Sequence, residues 1–359
     1  MQTQSKYRLL VVRLGAMGDI LHAMPAVTAL RKAHPEWVID WVVEPMWSAL
    51  LTARAGVARD TGNDRPQQPI VDRVYFAAMR KWKRKLFTRE TRSELGALRR
   101  ALKEEHYDAV VDFQGAVRSA LIGRMAKSRR YIGEARPRES VAKLLFTERI
   151  ATCGVHVIEQ DLDVAAAIAG DQLEPVRPML PFDAEAEAWA GQLIADETKS
   201  SAALINPGAG WGAKRWPVER YAEVARALLN RGCRVFVNAG PGEVLLAQEV
   251  VERTGGAAVS LLCSIEQLIA ITRRASVAIA GDTGPLHMAC ALGRPVVGVY
   301  GPTDPGRNGP FGTRFKVFRS PGSRRDHARR EAPEAGLLTI SPEEVIEATL
   351  ELLHCEAAQ

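Results

Sequence analysis

The 359 residues are 47% hydrophobic and 25% charged, a composition typical of a soluble protein of about two domains, and no apolar run approaches the roughly 20 residues that span a bilayer. The N-terminus leads into a strand without a secretory signal, and five scattered cysteines without CxxC spacing argue against a disulfide framework or a zinc site, so we expect a cytoplasmic protein. The net charge of +6 favours an anionic partner, but no helix-turn-helix, zinc-finger or single-strand-binding pattern supports nucleic acid.

The first half of the chain alternates short β-branched runs with helical stretches. Strands that alternate with helices imply parallel crossovers, so this pattern predicts an open α/β sheet. In chain order we predict strand 8–14, helix 19–34, strand 38–44, a short helix 46–55, strand 73–76, an amphipathic helix 91–106, strand 107–115 and a helix that ends at residue 127.

A proline-rich stretch, "DQLEPVRPMLPF" at 171–182, interrupts this alternation. It has three prolines within seven residues, so it cannot continue a helix and is predicted to be an interdomain linker. The alternation then restarts. We predict strand 202–206, helix 218–232, strand 234–240, helices 242–255 and 264–275, strand 276–282, helix 284–293, strand 295–301 and a closing helix 342–354.

Together these elements predict an α/β protein with two Rossmann-like domains that face a central cleft, which is a natural place to hold two substrates. We expect a first domain at 1–170, the linker at 171–182 and a second domain at 183–340. The last segment, 341–359, is expected to form a C-terminal helix that packs back on the first domain.

The positive charge lies in the first half. Residues 1–175 contain 28 Lys and Arg against 21 Asp and Glu, whereas residues 176–359 contain 20 against 21. Much of the excess is in "RKWKRK", Arg80–Lys85, for which a solvated charged loop is the alternative interpretation. The first domain is therefore where we expect an anionic partner to bind.

Open α/β sheets bind ligands at the carboxyl ends of their strands, so the strand exits are the candidate sites. The first exit is "RLGAMGD", which ends in Asp19. Its spacing is G-x-x-G and not the G-x-G-x-x-G of a dinucleotide-binding turn. The carboxylate of Asp19 could cap the following helix, bind a ribose or act as a general base within reach of a hydroxyl.

The second and third exits suit a diphosphate. In "NPGAGWGAKRWP", Gly208 and Gly210 free the backbone to present N–H groups to phosphate oxygens, and Lys214 adds a cation. In "GDTGPLHMACALG", the strand ends at Asp282, and the helix that follows presents its N-terminal N–H groups. The predicted members of this helix-terminal site are Asp282, Thr283, Gly284 and His287.

The fourth exit, "VDFQGAVRSAL", places Gln114 at the end of a strand and Arg118 one turn into the next helix. Surface arginines and an ordinary turn are the alternative interpretation. The predicted basic wall of the first domain consists of Arg80, Lys81, Lys83, Arg84, Gln114, Arg118, Arg136 and Arg138.

Four motifs, in this order and on these elements, resemble the bacterial heptosyltransferase family: "RLGAMGDILHAMPAVTAL", "DFQGAVRSAL", "PGAGWGAKRWP" and "GDTGPLHMACALGRPVVGVYGPTDP". The resemblance covers about residues 8 to 350. It implies the two-domain GT-B fold, in which the N-terminal domain takes the acceptor and the C-terminal domain the nucleotide sugar. It also implies inverting, metal-independent transfer of L-glycero-D-manno-heptose from ADP-heptose, with no cofactor besides this donor substrate.

The resemblance carries roles onto particular residues. Asp19 falls on the family's candidate general base and Lys214 on its diphosphate lysine. Asp282, Thr283, Gly284 and His287 fall on its nucleotide loop and helix. A family glutamate near the ribose falls on Glu243. Where some members have hydroxyl side chains that contact phosphate, this chain has Ala209 and Gly210, so backbone N–H groups would take that role.

The acceptor implied is Kdo2-lipid A, since "DFQGAVRSA" and "RKWKRK" resemble the first heptosyltransferase and the charge distribution suits carboxylates and phosphates. We expect Arg80–Lys85 to engage these anions at the cytoplasmic face of the inner membrane, with Trp82 and Phe87 at the interface. The glycine loop is closer to that of the second heptosyltransferase, which extends heptosyl-Kdo2-lipid A. A non-catalytic nucleotide-sugar- or lipid-binding protein and a GT-B epimerase would also be compatible with the predicted fold.

Overall fold

A computed structural model describes residues 6–53, 66–85, 87–195, 201–325 and 330–357. The chain divides into two compact units, Met1–Pro181 and Phe182–Gln359, and this boundary lies at the C-terminal end of the predicted linker. Each unit contains a six-stranded sheet in which all recorded strand pairs are parallel. The α/β class predicted from the sequence is confirmed.

The sheet of the first unit has the strand order β3-β2-β1-β4-β5-β6. Its strands are Arg8–Val12 (β1), Val38–Val43 (β2), Arg73–Phe76 (β3), Ala109–Asp112 (β4), Arg130–Glu134 (β5) and Glu148–Ile150 (β6). Its α-helices are Met17–Ala33 (α1), Met79–Arg84 (α2), Arg89–Glu104 (α3), Val117–Arg124 (α4) and Val157–Ala169 (α5). Two 3-10 turns, Pro45–Leu50 and Ser140–Leu145, complete the unit.

The second sheet has the order β12-β11-β10-β7-β8-β9. Its strands are Ala202–Asn206 (β7), Arg234–Asn238 (β8), Val259–Leu261 (β9), Val277–Gly281 (β10), Val296–Tyr300 (β11) and Phe315–Arg319 (β12). Its α-helices are Ala184–Ile194 (α6), Val218–Asn230 (α7), Val244–Arg253 (α8), Ile265–Arg274 (α9), Gly284–Ala291 (α10), Pro305–Asn308 (α11) and Pro342–Ala357 (α12). Its 3-10 turns are Gly212–Lys214 and Ala335–Thr339.

The two sheets have one topology. Numbered within its own unit, each has the order 3-2-1-4-5-6, the arrangement of the doubly wound dinucleotide-binding fold. The strand order reverses between β1 and β4 in the first unit and between β7 and β10 in the second. Ligands of such sheets bind beside the carboxyl ends of these two strands, so each unit has one topologically defined binding edge.

The central strands are buried on both faces, which explains their continuous apolar sequences. Leu9–Val12 have no exposed surface, and Leu10 lies in register with Asp40 on one side and Val110 on the other. Strands covered by helices on both faces have no polar side to present, so the alternation typical of antiparallel sheets is missing. This burial fixes the strand exits on which the candidate site residues lie.

The structure corrects several predicted elements. Helix α1 begins at Met17, two residues before the predicted start, so Asp19 lies in its first turn. The predicted helix 46–55 is the 3-10 turn Pro45–Leu50, and residues 54 and 55 lie outside the described part of the chain. The basic segment forms helix α2 and is not a charged loop.

The C-terminal helix packs differently from the prediction. Helix α12 lies against α7, and Val345, Ala348 and Leu352 belong to the core of the second unit together with Trp216. Its apolar face is therefore used in that unit, whereas the sequence suggested packing on the first. Within the described ranges, we found no helix that is both long and apolar enough to cross a bilayer.

Candidate active site

Asp19 lies in the first turn of α1, directly after the exit of β1. Its carboxylate accepts a hydrogen bond from the backbone N–H of Ala16 at 3.2 Å, and its side chain is 36% exposed. It thus satisfies one of the helix's N-terminal donors and still presents oxygen atoms to solvent. A capping contact and access to a substrate hydroxyl coexist at this residue.

Arg13 is the residue at this exit that the sequence reasoning missed. Its side chain is 7% exposed, and one guanidinium nitrogen lies 3.4 Å from the carboxylate of Asp19. The same side chain donates to the backbone oxygens of Asp19, at 3.1 Å, and of Phe113. Arg13 therefore connects the β1 exit, the first turn of α1 and the β4 exit. An arginine at the end of an otherwise apolar strand was the available signal, because a buried cation needs a counter-ion.

Arg138 places a second guanidinium at the same carboxylate. It is exposed and lies 4.0 Å from Asp19. The loop that carries it approaches Gly115, where a Cβ atom would meet Pro137 at 2.9 Å and where φ is +61°. Glu139 fixes the loop, because its carboxylate accepts from the backbone N–H of Val117 at the start of α4. The sequence predicted Arg138 only as part of the basic wall, and its position beside Asp19 is a finding of the structure.

The other predicted residues of the fourth exit have different environments. Gln114 is 4% exposed, and its side-chain oxygen accepts from the backbone N–H of Leu14 at 2.8 Å, so it ties the β4 exit to the β1 exit. Arg118 and Arg136 are exposed. Asp112, at the end of β4, accepts from four donors, and burial still raises the pKa of its carboxyl.

The basic helix α2 uses part of its charge internally. Lys81 forms ion pairs with Glu90 at 2.7 Å and with Glu94 at 2.6 Å, and Arg80 lies 3.2 Å from Glu44. Lys83, Arg84 and Lys85 are exposed.

The predicted position of Trp82 at a membrane interface is wrong. Its ring is 5% exposed, belongs to the core of the first unit, and donates to Glu94 at 2.7 Å. Phe87 is 84% exposed.

In the second unit, Lys214, Asp282 and His287 form a connected cluster at the β7 and β10 exits. The Lys214 ammonium lies 2.5 Å from one carboxylate oxygen of Asp282, and Nε2 of His287 lies 3.1 Å from the other. The side chains of Lys214 and Asp282 are 12% and 8% exposed. The ammonium also lies 4.3 Å from the ring centre of Trp211, a cation–π distance.

The charge of Asp282 is held by its neighbours. Burial alone raises the pKa of a carboxyl, but the hydrogen bond from His287 and the charge of Lys214 outweigh it, so the pKa of Asp282 lies well below its usual range. Asp282 therefore remains an anion that fixes the Lys214 ammonium at the start of α10. An anchored ammonium beside helix N–H groups is suited to a diphosphate.

The glycine loop and Glu243, both assigned to nucleotide-sugar binding by the resemblance, lie in contact. A Cβ atom on Gly208 would lie 2.1 Å from Oε2 of Glu243, so a side chain at this position would require the Glu243 carboxylate to move. Arg215, which the sequence reasoning did not select, lies 4.0 Å from Glu243 and donates to the backbone oxygen of Ala209 at 3.4 Å. Gly210 is exposed and faces open space. The glycine loop therefore packs closely against the Glu243 carboxylate, and Gly210 stays accessible to solvent.

The remaining predicted residues, Thr283 and Gly284, begin α10. Thr283 is the N-cap residue, and its hydroxyl donates to the backbone oxygen of Gly281 at 3.2 Å. The 3-10 turn Gly212–Lys214 is held by backbone bonds between Ala213 and both Arg330 and Glu334. Across the described ranges, we found no group of three or more His, Cys, Asp or Glu side chains that could hold a metal ion.

Comparison with known proteins identifies the class. The sequence profile of glycosyltransferase family 9 (heptosyltransferase) matches residues 95–337. The chain is 31% identical to lipopolysaccharide heptosyltransferase 1 of Escherichia coli K12, over 88% of this chain and 94% of that protein. It is 25% identical to lipopolysaccharide heptosyltransferase 2 of Salmonella typhimurium, over 97% of this chain and 99% of that protein.

The solved structure of E. coli heptosyltransferase WaaC with ADP has a TM-score of 0.76 and 28% identity, covering 96% of this chain and 99% of that one. The same enzyme with ADP-2-deoxy-2-fluoro heptose has a TM-score of 0.75. Fold and sequence thus define a two-unit α/β glycosyltransferase. The chain belongs to glycosyltransferase family 9, the heptosyltransferases.

Proposed function

We propose that this protein transfers heptose from ADP-L-glycero-D-manno-heptose to a Kdo residue of Kdo2-lipid A, at the cytoplasmic face of the inner membrane. The observation that carries the choice of acceptor is the pair of guanidinium groups, from Arg13 and Arg138, beside the partly exposed carboxylate of Asp19. Kdo carries a carboxylate next to its hydroxyl groups. An acceptor with an anion near the reacting hydroxyl suits a base flanked by cations.

The donor is assigned to the second unit. The Lys214 ammonium, fixed by Asp282, and the N-terminal N–H groups of α10 supply positive charge for a diphosphate. Glu243 lies over Gly208 at the neighbouring strand exits and is a hydrogen-bond acceptor suited to ribose hydroxyls. The matched structures of WaaC contain ADP and an ADP-sugar, which supports an ADP-sugar as the donor.

The proposed reaction is a single displacement. Asp19 accepts the proton of the attacking Kdo hydroxyl, and that oxygen forms a bond to the anomeric carbon of heptose. The bond between this carbon and the β-phosphate oxygen breaks on the opposite face, and ADP leaves with the electron pair, so the anomeric centre inverts. Lys214 and α10 stabilise the charge that develops on the diphosphate.

Product analysis tests the acceptor. Purified protein is incubated with ADP-heptose and either Kdo2-lipid A or heptosyl-Kdo2-lipid A, and the products are identified by mass spectrometry. We expect one heptose to be added to Kdo2-lipid A. Addition to the heptosylated acceptor alone would assign the second transfer, and ADP binding with no product from either acceptor would contradict the proposal.

We also propose that the transfer needs no metal ion, because Lys214 and the α10 terminus supply the positive charge that a divalent cation would otherwise provide. After dialysis against EDTA, the initial rate is expected to stay within about twofold of the untreated enzyme. A loss of activity that Mg²⁺ restores would contradict this part of the proposal. The same assay with added Mg²⁺ serves as the control.

A further inference from the structure

The first unit has an exposed surface that combines apolar and basic side chains, formed by α4 and the neighbouring 3-10 turn Ser140–Leu145. These two elements pack together through Ala120 and Ala142 in the core of the unit. Their outward sides remain uncovered. We call this the α4–turn surface. It consists of six exposed residues: Arg118, Leu121, Arg124, Val141, Lys143 and Leu144.

The turn presents an apolar stripe to solvent. In a 3-10 turn, residues three apart align, so Val141 and Leu144 share one side, and Ala142 and Leu145 share another. Ala142 is fully buried in the core with Leu145 packed against it, whereas Val141 is 58% and Leu144 70% exposed. The inner pair therefore packs the turn onto the core, and the outer pair lies outside that core.

Helix α4 adds a second stripe with the same composition. Arg118, Leu121 and Arg124 are spaced three residues apart and lie on one side of the helix, where Leu121 is 53% exposed. Apolar side chains rimmed by arginine and lysine are typical of surfaces that rest in the headgroup region of a bilayer.

The charge around this surface is the second observation. Residues 117–149 contain nine Lys and Arg against three Glu. All three glutamates have partners: Glu148 pairs with Arg130 at 2.8 Å, Glu139 accepts from the N–H of Val117, and Glu134 accepts from the hydroxyl of Thr152 at 3.2 Å. The net field is therefore strongly positive and complements anionic lipid.

The position of the surface connects it to the candidate base. Arg138, whose guanidinium lies 4.0 Å from Asp19, is three residues before Val141, and three residues span at most about 11 Å. The arginine beside Asp19 and the apolar side chains of the α4–turn surface therefore belong to one short segment of the chain, residues 138–144. Helix α2 is the weaker candidate, because Trp82 is buried and Lys81 is ion-paired.

We propose that the α4–turn surface is the face with which this protein rests on an anionic bilayer, with Val141 and Leu144 inserted among the headgroups. The inference deepens the proposed function and rests on it for the lipid-linked acceptor. Binding to the bilayer itself can be measured without any reaction.

The test is co-sedimentation with phosphatidylcholine vesicles that contain or lack phosphatidylglycerol. We expect binding to the anionic vesicles, a loss of about tenfold or more in the Val141→Ser/Leu144→Ser double variant, and about fivefold in Lys143→Gln. The matched control is Leu245→Ser/Leu262→Ser in the second unit, whose side chains are 79% and 63% exposed, and it should bind like the wild type. Melting temperatures verify that each variant is folded.

Three results would overturn the inference. They are wild-type binding by the double variant, loss of binding in Phe87→Ser instead, and a wild-type dimer in sedimentation velocity that the double variant dissociates. Activity on a deacylated Kdo acceptor separates this inference from the proposed function. If the double variant glycosylates that acceptor normally but does not bind vesicles, the proposed function and this inference both stand. If the wild type binds vesicles as expected but glycosylates no acceptor, only the proposed function fails.

Discussion

The two units share one sheet topology, but the carboxylates at their strand exits differ in exposure and in their ion-pair partners. Asp19, after β1, is 36% exposed and is flanked by Arg13 and by the exposed Arg138. Asp282, after β10, is 8% exposed and is held by Lys214 on one oxygen and His287 on the other. An accessible carboxylate can take a proton from a substrate, whereas one locked in a buried ion pair serves to hold its partner in place. The environment, and not the residue type or the strand exit, separates the two roles.

The largest effect is expected from Asp19→Asn. Asparagine keeps an oxygen that can accept from the Ala16 N–H, so the helix start is preserved while the base is removed. We expect kcat to fall about 10³-fold, with ADP affinity and melting temperature nearly unchanged. Steady-state kinetics and calorimetric ADP titration provide the measurement.

Asp183→Asn is the matched control, because Asp183 caps α6 through the N–H of Ala186 and is a capping carboxylate outside the site. Its kcat should equal that of the wild type. If Asp19→Asn also kept kcat within a few fold, Asp19 would be a helix-capping residue and not a base.

The second largest effect is expected at Lys214, in the proposed donor site of the second unit. Lys214→Gln removes the ammonium that Asp282 fixes, and we expect ADP to bind about 10- to 100-fold more weakly, with a lower kcat as well. Lys316→Gln, which breaks an exposed pair with Glu351, is the control and should leave ADP affinity unchanged. Unaltered ADP affinity in Lys214→Gln would remove this residue from the diphosphate site.

A third prediction follows from the lowered pKa of Asp282. A carboxyl whose pKa is lower in the folded state stabilises that state above its unfolded pKa of about 4, and this contribution disappears as pH falls through the folded pKa. We expect Asp282→Asn to lower stability by about 2 kcal/mol at pH 7 and by progressively less below about pH 4.

Thermal unfolding of the wild type and of Asp282→Asn at several pH values shows whether the stability difference between them decreases as the pH falls. The control is Ser264→Ala, which removes the cap of α9 without changing a titratable group and should lower stability by an amount that does not depend on pH. A wild-type advantage over Asp282→Asn that is as large at pH 3 as at pH 7 would contradict the expected linkage.

The sequence predicted the strands β1, β2, β3 and β4 in the first unit and β7, β8, β10 and β11 in the second, but not β5, β6, β9 or β12. β1, β4, β7 and β10 are continuous apolar runs because both faces are buried, and the glycine loops follow them directly. The strands β6 and β9 have three residues each and lie at sheet edges, where little apolar sequence is needed. The strands that local pattern missed, β5, β6, β9 and β12, are three residues long or contain two charged residues, so they lack a long apolar run.

The candidate site shows the same division. Lys214, Asp282 and His287 could be selected because they follow strands and lie in short motifs, and the structure brings them into contact. The contact of Arg13 with Phe113 joins segments 100 residues apart, and the burial of Trp82 against Glu94 depends on how two successive helices pack. Such pairings follow from strand order and helix packing, which a local pattern does not contain.

The smallest effect tests whether Arg13 serves the reaction or only the fold. Arg31 is a matched arginine in the same unit, since it also pairs with a carboxylate, Asp72 at 2.5 Å, and donates to backbone oxygens, including that of Trp37 at 2.7 Å. Replacing either arginine by methionine should destabilise the first unit.

Because Arg13 orients Asp19, Arg13→Met should also lower kcat about tenfold without changing ADP affinity, whereas Arg31→Met should leave kcat per folded molecule unchanged. Arg13→Lys keeps the positive charge but loses the simultaneous contacts with Asp19 and Phe113, so partial recovery of kcat is expected. Equal kcat in the two methionine variants would make Arg13 a structural residue, and the orientation of Asp19 would then depend on Ala16 and Arg138.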